Sequence, residues 1–266
     1  PDWVAAVERL AQDGGQACAR LLGQVHTVPA WVDFPKMRAA SQLGLRTPVQ
    51  SAVCLILGSL LESYGSALGA KVLVRGGMLT NHVLRRLRDT TTFVMELATS
   101  RGPRPGTLAH RAILRTRLVH AFVRHGILKR GDWNFDWGHP VNQEDSASTL
   151  LVFSHVYLRS MARLGATPTA EEEASVHHLY RWVGHVLGIA PQLLTEDRAQ
   201  EESLYKHITR RRLHPDDDSR MLAQCLFQAL DGGRPLFLPA DALVALARHL
   251  LGDELGDELG LSRSPL

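Results

Sequence analysis

The chain has 266 residues, of which 45% are hydrophobic and 21% are charged, and its formal net charge is +3. This is the composition of an ordinary globular protein, and the chain is long enough to enclose a cofactor. The small net charge gives no reason to expect nucleic acid as a partner. Two basic clusters, RRLR (85–88) and TRRRLH (209–214), are typical of solvated helix faces and lack interleaved aromatic residues.

Cysteine usage and the absence of targeting segments indicate the compartment. Cys18, Cys54 and Cys225 are far apart, and such a sparse, odd set favours a reducing compartment over a disulfide framework. No secretory signal opens the sequence, and the longest apolar run, 52–61, is too short to cross a bilayer. We therefore expect a cytoplasmic protein without stable membrane insertion. Because the sequence begins at Pro1 rather than Met, secretion after removal of a leader is the alternative.

Apolar residues recur with the period of an α-helix along most of the chain. The predicted helices are, in chain order, 3–22, 48–62, 78–99, 107–128, 143–164, 170–188, 199–211, 218–230 and 239–251. Alternation typical of a strand is nearly absent, with KVLVRGG (71–77) as a short rival. The pattern predicts an all-α, single-domain multi-helix bundle over residues 1–250. The repetitive tail, 251–266, is predicted to be flexible.

Two helix starts carry capping residues. Asn142 stands three residues before Asp145, and Thr169 precedes a run of glutamates at 171–173. Short polar side chains accept hydrogen bonds from the first free N–H groups of a helix, and acidic residues favour its first turn. The two residues are therefore predicted N-caps.

Thirteen histidines are present, but most motifs of metal and cofactor enzymes are missing. The sequence contains no H-E-x-x-H, E-x-x-H, C-x-x-C-H, G-x-S-x-G, Walker A or G-x-G-x-x-G pattern. A non-covalent haem b needs little more than one axial imidazole, an apolar pocket and cations for its propionates. Isolated histidines on helices are therefore the candidates that remain.

The stretch RTRLVHAFVRHG (115–126) places a histidine between two arginines on one helix face. Arg117, His120 and Arg124 stand at i, i+3 and i+7. Burying the two cations would cost several kcal/mol each without anionic partners. One interpretation is a haem-binding edge with His120 as the iron ligand. The other is a core histidine bonded to a backbone carbonyl, with arginines paired to protein carboxylates.

The remaining positions of this helix are mostly apolar. The face of His120 also carries Ile113, Thr116, Val123 and Ile127, while Leu114, Leu118 and Phe122 occupy the opposite side. The pattern predicts a helix that is buried nearly all round.

The preceding helix offers a second pair. Arg86 and Thr90 stand at i, i+4 and could project a guanidinium and a hydroxyl into one cavity. Such groups suit a pocket for dioxygen, which carries partial negative charge when bound. The alternative is that RDTTT (88–92) makes only local bonds on an exposed helix face.

Four segments stand in a characteristic order: AKVLVRGGML…RRLRDTTTFV, RTRLVHAFVR, W…GHPVNQEDSASTLLVFS and YRWVGHVLGI. Together they resemble the MpaB-like oxygenases, which include the bacterial latex clearing proteins (rubber oxygenases), from about residue 64 to residue 230. The resemblance implies a globin-like all-α core holding haem b, and cleavage of carbon–carbon double bonds with O2. It implies that His120 is the proximal iron ligand, that Arg117 and Arg124 orient or charge-balance the porphyrin, and that Arg86 and Thr90 line the pocket.

Two departures from the rubber-cleaving pattern bear on the substrate. Asp89 stands where latex clearing proteins carry a lysine, and Glu62 lies near their catalytic glutamate but outside the matching register. We therefore expect a hydrophobic small molecule with an alkene, such as a terpenoid or other secondary metabolite. A haem-dependent monooxygenase or desaturase, and a non-catalytic haem carrier or sensor, are the alternatives. A homodimer is left open.

Other aromatic and imidazole side chains receive simpler interpretations. His155 could face the same cavity, although a core or surface position is favoured. The histidines of the 170–188 helix, at 177, 178 and 185, are expected at the surface. Trp133 and Trp137 are expected to pack a loop rather than contact a substrate.

Overall fold

The computed structural model describes residues 2–76, 83–98, 102–233 and 235–263, and these ranges contain helices but no named strand. The all-α prediction is therefore confirmed. The α-helices are α1 Trp3–Gln12, α2 Gln16–His26, α3 Arg38–Arg46, α4 Pro48–Val53, α5 Leu61–Tyr64, α6 Ala67–Arg75, α7 Val83–Leu97, α8 Leu108–Arg130, α9 Gln143–Leu151, α10 Tyr157–Arg163, α11 Ala170–Leu187, α12 Arg198–Arg212, α13 Asp217–Leu230, α14 Ala240–Leu251 and α15 Asp253–Glu258.

Shorter helical turns complete the backbone. Short 3₁₀ turns occupy Pro35–Met37, Phe135–Trp137 and Pro191–Leu193. Two π-helical segments, Cys54–Leu60 and Val152–Val156, join α4 to α5 and α9 to α10 without a loop. The hydroxyl of Ser59 donates to the carbonyl oxygen of Val152 at 2.6 Å, so the two π-segments are in contact. Such segments are frequent near functional sites.

The predicted elements differ from the observed ones in several places. The segment 3–22 is two helices, because the chain turns at Gly14 with φ at 90°. The strand rival at 71–77 is helical up to Arg75. The predicted helix 78–99 is observed as α7 over Val83–Leu97, and its residues 78–82 and 99 lie outside the described residues.

Both predicted N-caps are confirmed. Asn142 accepts a hydrogen bond of 2.9 Å from the backbone N–H of Asp145. Thr169 and Glu172 form a reciprocal capping box at the start of α11. These short-range signals fix the starts of α9 and α11.

The prediction of a flexible tail is wrong for its described residues. Residues 253–258 form α15, and Leu255, Leu259 and Leu261 are buried in the same core cluster as α13 and α14. The physical reason is a leucine on one face of each repeat, which buries itself once a neighbouring helix is available.

Two large core clusters meet at α7. Val83 and Leu87, from the first half of α7, pack with α4–α6 and α13–α15. Leu97, from its last turn, packs with α8, α10 and α11. The middle of α7 therefore lies at the junction of the two clusters.

No single helix in the described ranges is long and apolar enough to span a bilayer. The helices over Pro35–Arg46 and Pro48–Tyr64 would reach the required length and hydropathy together, but they are bent by 96° against each other.

Candidate functional site

The face of α7 that packs on the core is buried at its two ends but exposed at Thr90. Residues at spacings of three, four and seven lie on one helix face, so Thr90 shares its face with Val83, Leu87, Val94 and Leu97. The outer members of this stripe are buried and Val94 is half-buried, but Thr90 is exposed. The stripe is thus open at its middle, where the two core clusters meet.

The inward stripe of α8 is open in the same manner. Ile113 and Ile127 are 0% and 1% exposed, whereas Thr116, His120 and Val123 between them are only half-buried. Both ends of this helix face are therefore buried, and His120, the predicted iron ligand, lies in the less buried section between them.

The two open sections lie at the same level of the helix pair. Arg115 of α8 binds Glu96 of α7 at 3.1 Å, and consecutive packed helices of this kind run antiparallel. Thr90 lies six residues from Glu96, and His120 lies five residues from Arg115. At 1.5 Å per residue these intervals are about 9 Å and about 7.5 Å along the helix axes. Thr90 and His120 therefore lie at a similar height along the α7–α8 pair.

The imidazole of His120 is available to a ligand. It makes no hydrogen bond to another described residue, and burial, with a smaller contribution from the charge of Arg124, lowers its pKa from the ordinary value. A neutral imidazole is the form that binds a metal. His110, ten residues earlier on α8, is 1% exposed and bonds the carbonyl oxygen of Val25 at 2.8 Å. His110, not His120, therefore fits the alternative of a core histidine tied to the backbone.

Arg117 joins α8 to α11 and α2. Its guanidinium donates to the carbonyl oxygen of Val186 at 3.1 Å and to the Gln24 side chain at 2.9 Å. Gly188 lies against this guanidinium, and a Cβ atom there would come within 2.6 Å of the Arg117 Cζ. Gly188 has φ at 84°, which favours glycine on backbone grounds, and a larger residue there would also displace the guanidinium of Arg117.

Arg124 holds the loop that precedes α9. Its Nε donates to the carbonyl oxygen of Pro140 at 3.2 Å, and one Nη donates to that of Val141 at 2.8 Å. Among the described residues, neither Arg117 nor Arg124 forms an ion pair. Each uses two of its five N–H donors on neutral oxygen atoms. The predicted role of both arginines towards a porphyrin stays a prediction.

The motif PVNQED (140–145) connects this loop to the rest of the bundle. Gln143 donates to the carbonyl oxygen of Gly188 at 3.2 Å and accepts from the N–H of Ala190 at 2.7 Å. Asp145 binds Arg212 of α12. The sequence predicts the cap at the start of this motif but not its tethers to α11 and α12, because the partners are distant in sequence.

The other pocket candidates on α7 have different surroundings. Arg86 is half-buried beside the buried phenol of Tyr64, where its charge partly opposes the rise in the pKa of Tyr64 that burial causes. Asp89 is exposed and lies 3.8 Å from Arg85. The structure thus places Thr90 on the exposed part of α7 at the height of His120, while Arg86 lies beside Tyr64 of α5.

A buried polar cluster joins α5, α10 and α12. Glu62 is 3% exposed and binds Arg159, and the hydroxyl of Tyr205 donates to Glu62 at 2.6 Å. His155 stacks on Tyr205 with ring centroids 4.4 Å apart, and its Nδ1 has no partner among the described residues. The cavity beside this cluster has room for little more than a water molecule. We therefore treat this cluster as part of the scaffold.

Two predictions about the remaining side chains have clear outcomes. The expectation that the α11 histidines lie at the surface is wrong for His177 and His178, which are 6% and 7% exposed. Each has a hydrogen-bonding partner: the His178 Nε2 accepts from the Asp33 N–H at 2.9 Å, and the His177 Nε2 lies 3.0 Å from the Thr195 hydroxyl oxygen. The prediction that α8 is buried nearly all round is wrong at Phe122, which is 50% exposed and packs on Trp3.

The predicted packing of the two tryptophans on a loop is confirmed. Trp133 donates through Nε1 to the carbonyl oxygen of Gly138 at 2.8 Å, and its ring meets that of Trp137 edge to face at 5.2 Å. Both side chains pack the loop that leads towards Arg124.

The donor set fits a haem with one protein ligand better than a metal ion held by side chains alone. No group of three or more His, Cys, Asp or Glu side chains that could hold a metal ion is found within the described ranges. The imidazole of His120 lies in the open section of α8 and would supply the one axial nitrogen that haem requires.

Comparisons with known proteins agree with this fold. The rubber oxygenase of Streptomyces sp. (strain K30) is 24% identical over 255 residues, which are 90% of this chain and 59% of that protein. The chain thus spans about three-fifths of that relative. The structure of latex clearing protein LCP in the closed state matches 100% of this chain and 78% of its own chain, with a TM-score of 0.72 and 18% identity. At that identity the likeness shows a shared fold.

A family model covers most of the sequence. The model described as ER-bound oxygenase mpaB/B'/Rubber oxygenase, catalytic domain, matches residues 48–266, which include α7, α8 and the PVNQED motif. The chain therefore belongs to the mpaB/rubber oxygenase family.

Proposed function

We propose that this family member is a haem b-dependent oxygenase that uses O2 to cleave a carbon–carbon double bond in a hydrophobic small molecule, such as a terpenoid or another secondary metabolite. The observation that carries the proposal is the imidazole of His120, which makes no hydrogen bond to another described residue and lies in the less buried middle of its helix face, at the height of Thr90 on α7. Family membership supports the oxygenase class.

His120 would hold haem from the proximal side. Its lowered pKa keeps the ring neutral at physiological pH, so that a nitrogen lone pair is free to bind iron. The hydrogen bonds of Arg117 and Arg124 to α11 and to the 140–141 loop fix both ends of the helix face around this ring. The remaining N–H donors of these arginines would orient and charge-balance the propionates.

Thr90 and Arg86 would act on the opposite side of the pocket. The Thr90 hydroxyl is positioned on the open face of α7, where it can donate a hydrogen bond to dioxygen or to an oxygen atom of the substrate. Arg86, whose guanidinium lies beside Tyr64, would act on the pocket through its positive charge rather than by direct contact. Haem, when bound, would supply the activation of O2, whereas the chain supplies the ligand, the orientation and an apolar environment.

The test is oxygen uptake by the haem-loaded protein with a panel of terpenoid alkenes. Cleavage predicts one O2 consumed per alkene and two carbonyl products that together retain both oxygen atoms, as measured by mass spectrometry with ¹⁸O2. Incorporation of a single oxygen atom would instead indicate a monooxygenase, and loss of two hydrogen atoms a desaturase. Haem binding without any oxygen uptake across the panel would contradict the proposal and favour a carrier or sensor.

A pair of threonine variants tests the pocket itself. Thr90→Val keeps the side-chain volume and removes the hydroxyl, so we expect about a tenfold lower turnover with haem binding retained. Thr92→Val is the matched control, because Thr92 is exposed on the opposite face of α7. Equal turnover in the two variants would contradict the role of Thr90.

A further inference from the structure

A second cavity lies at the other end of the α7–α8 pair. It is a groove of about 210 Å³ between the start of α3 and the segment 102–107 that leads into α8. A cavity of about 150 Å³ can take a benzene molecule. The groove therefore has room for a ring or a short apolar chain.

The floor of the groove is apolar. Met37 and Leu97 are each 2% exposed and belong to the same core cluster, and Phe34, Pro103 and Pro105 are the other apolar side chains that line the groove. Burial of an apolar group against such a surface is favourable at about 25 cal/mol per Å².

The wall behind this floor is fixed before any ligand binds. The indole of Trp182 is 0% exposed and donates through Nε1 to the carbonyl oxygen of Pro103 at 2.7 Å. The same ring meets Phe34 edge to face at 5.6 Å. A preformed apolar surface avoids most of the ordering cost of binding.

The rim of the groove carries two cations. Arg38 and Arg104 both line it, and neither forms an ion pair with any described residue. Arg104 lies over the ring of Phe34, with its Cζ 4.6 Å from the centroid, so its guanidinium is held at the rim. Planar guanidinium groups match carboxylate and phosphate oxygens with paired hydrogen bonds.

The groove is separate from the open section near His120. Leu97 lies seven residues beyond Thr90 on the same face of α7, about 10.5 Å along the axis. Leu97 and Ile113 are both buried in one core cluster, so packed side chains lie between the groove and the open section.

We propose that this groove binds a small molecule with an oxyanion head on a short apolar body. Arg38 and Arg104 bind the head at the rim, while the body lies on Phe34, Met37 and Leu97. The proposal does not depend on haem or on the reaction assigned to the chain.

Isothermal titration calorimetry with octanoate, octyl phosphate and 1-octanol tests this proposal on the purified full chain. We expect at least one of the two anions to bind with a Kd below about 1 mM, and 1-octanol to bind at least about tenfold more weakly than that anion. The tighter anion identifies the head group as a carboxylate or a phosphate. Binding of 1-octanol as tight as that of both anions, or no binding of either anion, would overturn the proposal.

Variants locate the binding in the groove. Arg104→Gln and Arg38→Gln should each weaken the preferred anion about fivefold or more. Arg20→Gln is the matched control, since Arg20 is exposed on α2 away from the groove, and it should bind like the unmodified chain. Ser41→Trp, which places a bulky ring at the groove wall without changing charge, should abolish binding. Unchanged affinity in Arg104→Gln or in Ser41→Trp, with normal thermal melting, would contradict the assignment.

Discussion

Arg124 on α8 donates a hydrogen bond of 2.8 Å to the carbonyl oxygen of Val141, a residue whose φ of 54° lies in the left-handed region. A β-branched residue in that conformation costs about 1–2 kcal/mol. The hydrogen bonds from Arg124 to this loop offset that cost. The arginine that the sequence associates with the histidine motif therefore also holds the PVNQED motif in place.

The first prediction concerns this coupling. Arg124→Gln should lower the free energy of unfolding by about 1–2 kcal/mol, because two hydrogen bonds from a charged donor are lost. The loss should be smaller in a Val141→Gly background, since glycine adopts the left-handed conformation without strain. Urea denaturation of both single variants and the double variant measures the coupling. Strictly additive effects would contradict the idea that Arg124 stabilises a strained loop.

A second prediction concerns the ion pair between Asp145 and Arg212, whose side chains are 15% and 11% exposed. Burial raises the pKa of Asp145 although Arg212 opposes the shift, so desolvation is the larger effect. Asp145→Asn leaves Arg212 mostly buried with only Glu144 nearby, at 3.7 Å, and should cost about 2–3 kcal/mol of stability.

The control for this variant is Glu202→Gln. The pair formed by Glu202 and Lys206 is more than half exposed on both sides, and such pairs contribute little. Loss of this exposed pair in Glu202→Gln should change the free energy of unfolding by less than about 0.5 kcal/mol. Equal effects of the two variants would show that the Asp145 pair does not anchor α9 to α12.

A third prediction is loss of stability in mild acid. Burial, followed by the charges of neighbouring arginines, lowers the pKa of His155 and of His177 to about 4. An unfolded histidine titrates near 6.5, so the unfolded state binds more protons between pH 6.5 and pH 4. The stability that these neutral rings contribute is complete above pH 6.5 and is lost as the pH falls towards 4.

Denaturation midpoints between pH 7 and pH 5 measure this loss. Each histidine can contribute up to about 2 kcal/mol over that interval. His177→Gln should flatten the pH dependence, whereas His207→Gln, at an exposed position of α12, should leave it unchanged. A profile that is flat from pH 7 to pH 5 in the unmodified chain would refute the prediction.

A fourth prediction tests the docking of the C-terminal segment. Leu259 is 1% exposed within the core cluster of α13–α15, so Leu259→Ala should lower the free energy of unfolding by about 2–4 kcal/mol. Leu10→Ala removes the same atoms from a side chain that is 54% exposed and should cost less than about 1 kcal/mol. Thermal or urea unfolding measures both variants. If their free energies of unfolding are equal, the C-terminal segment is not docked on the core.

Local signals in the sequence were sufficient for most of the fold. Apolar periodicity located the long helices, and the side chains of Asn142 and Thr169 fixed two helix starts, because capping acts over three residues. The same locality explains the errors. The leucines of 253–261 look like a low-complexity tail until α13 and α14 supply a surface, and the α11 histidines look exposed until Asp33 and Thr195 supply hydrogen bonds.

The candidate site was predictable in part. Helical spacing and family resemblance selected Thr90 and His120, and both lie on the open section of the α7–α8 pair. Spacing could not reveal that Arg117 and Arg124 bond backbone carbonyl oxygens, since Val186 is remote in sequence and the Val141 carbonyl is aimed by an uncommon φ. Hydrogen-bonding partners that are distant in sequence depend on how the helices pack, and the spacing of residues within one helix does not predict them.

The most direct measurement is a titration of the purified protein with haem, followed by its Soret absorption in matched histidine variants. His120→Ala should lose specific haem binding, while His125→Ala, which changes an exposed ring five residues further along α8, should bind haem like the unmodified chain. A one-to-one complex with an unchanged Soret band in His120→Ala would contradict the assignment of His120 as the iron ligand.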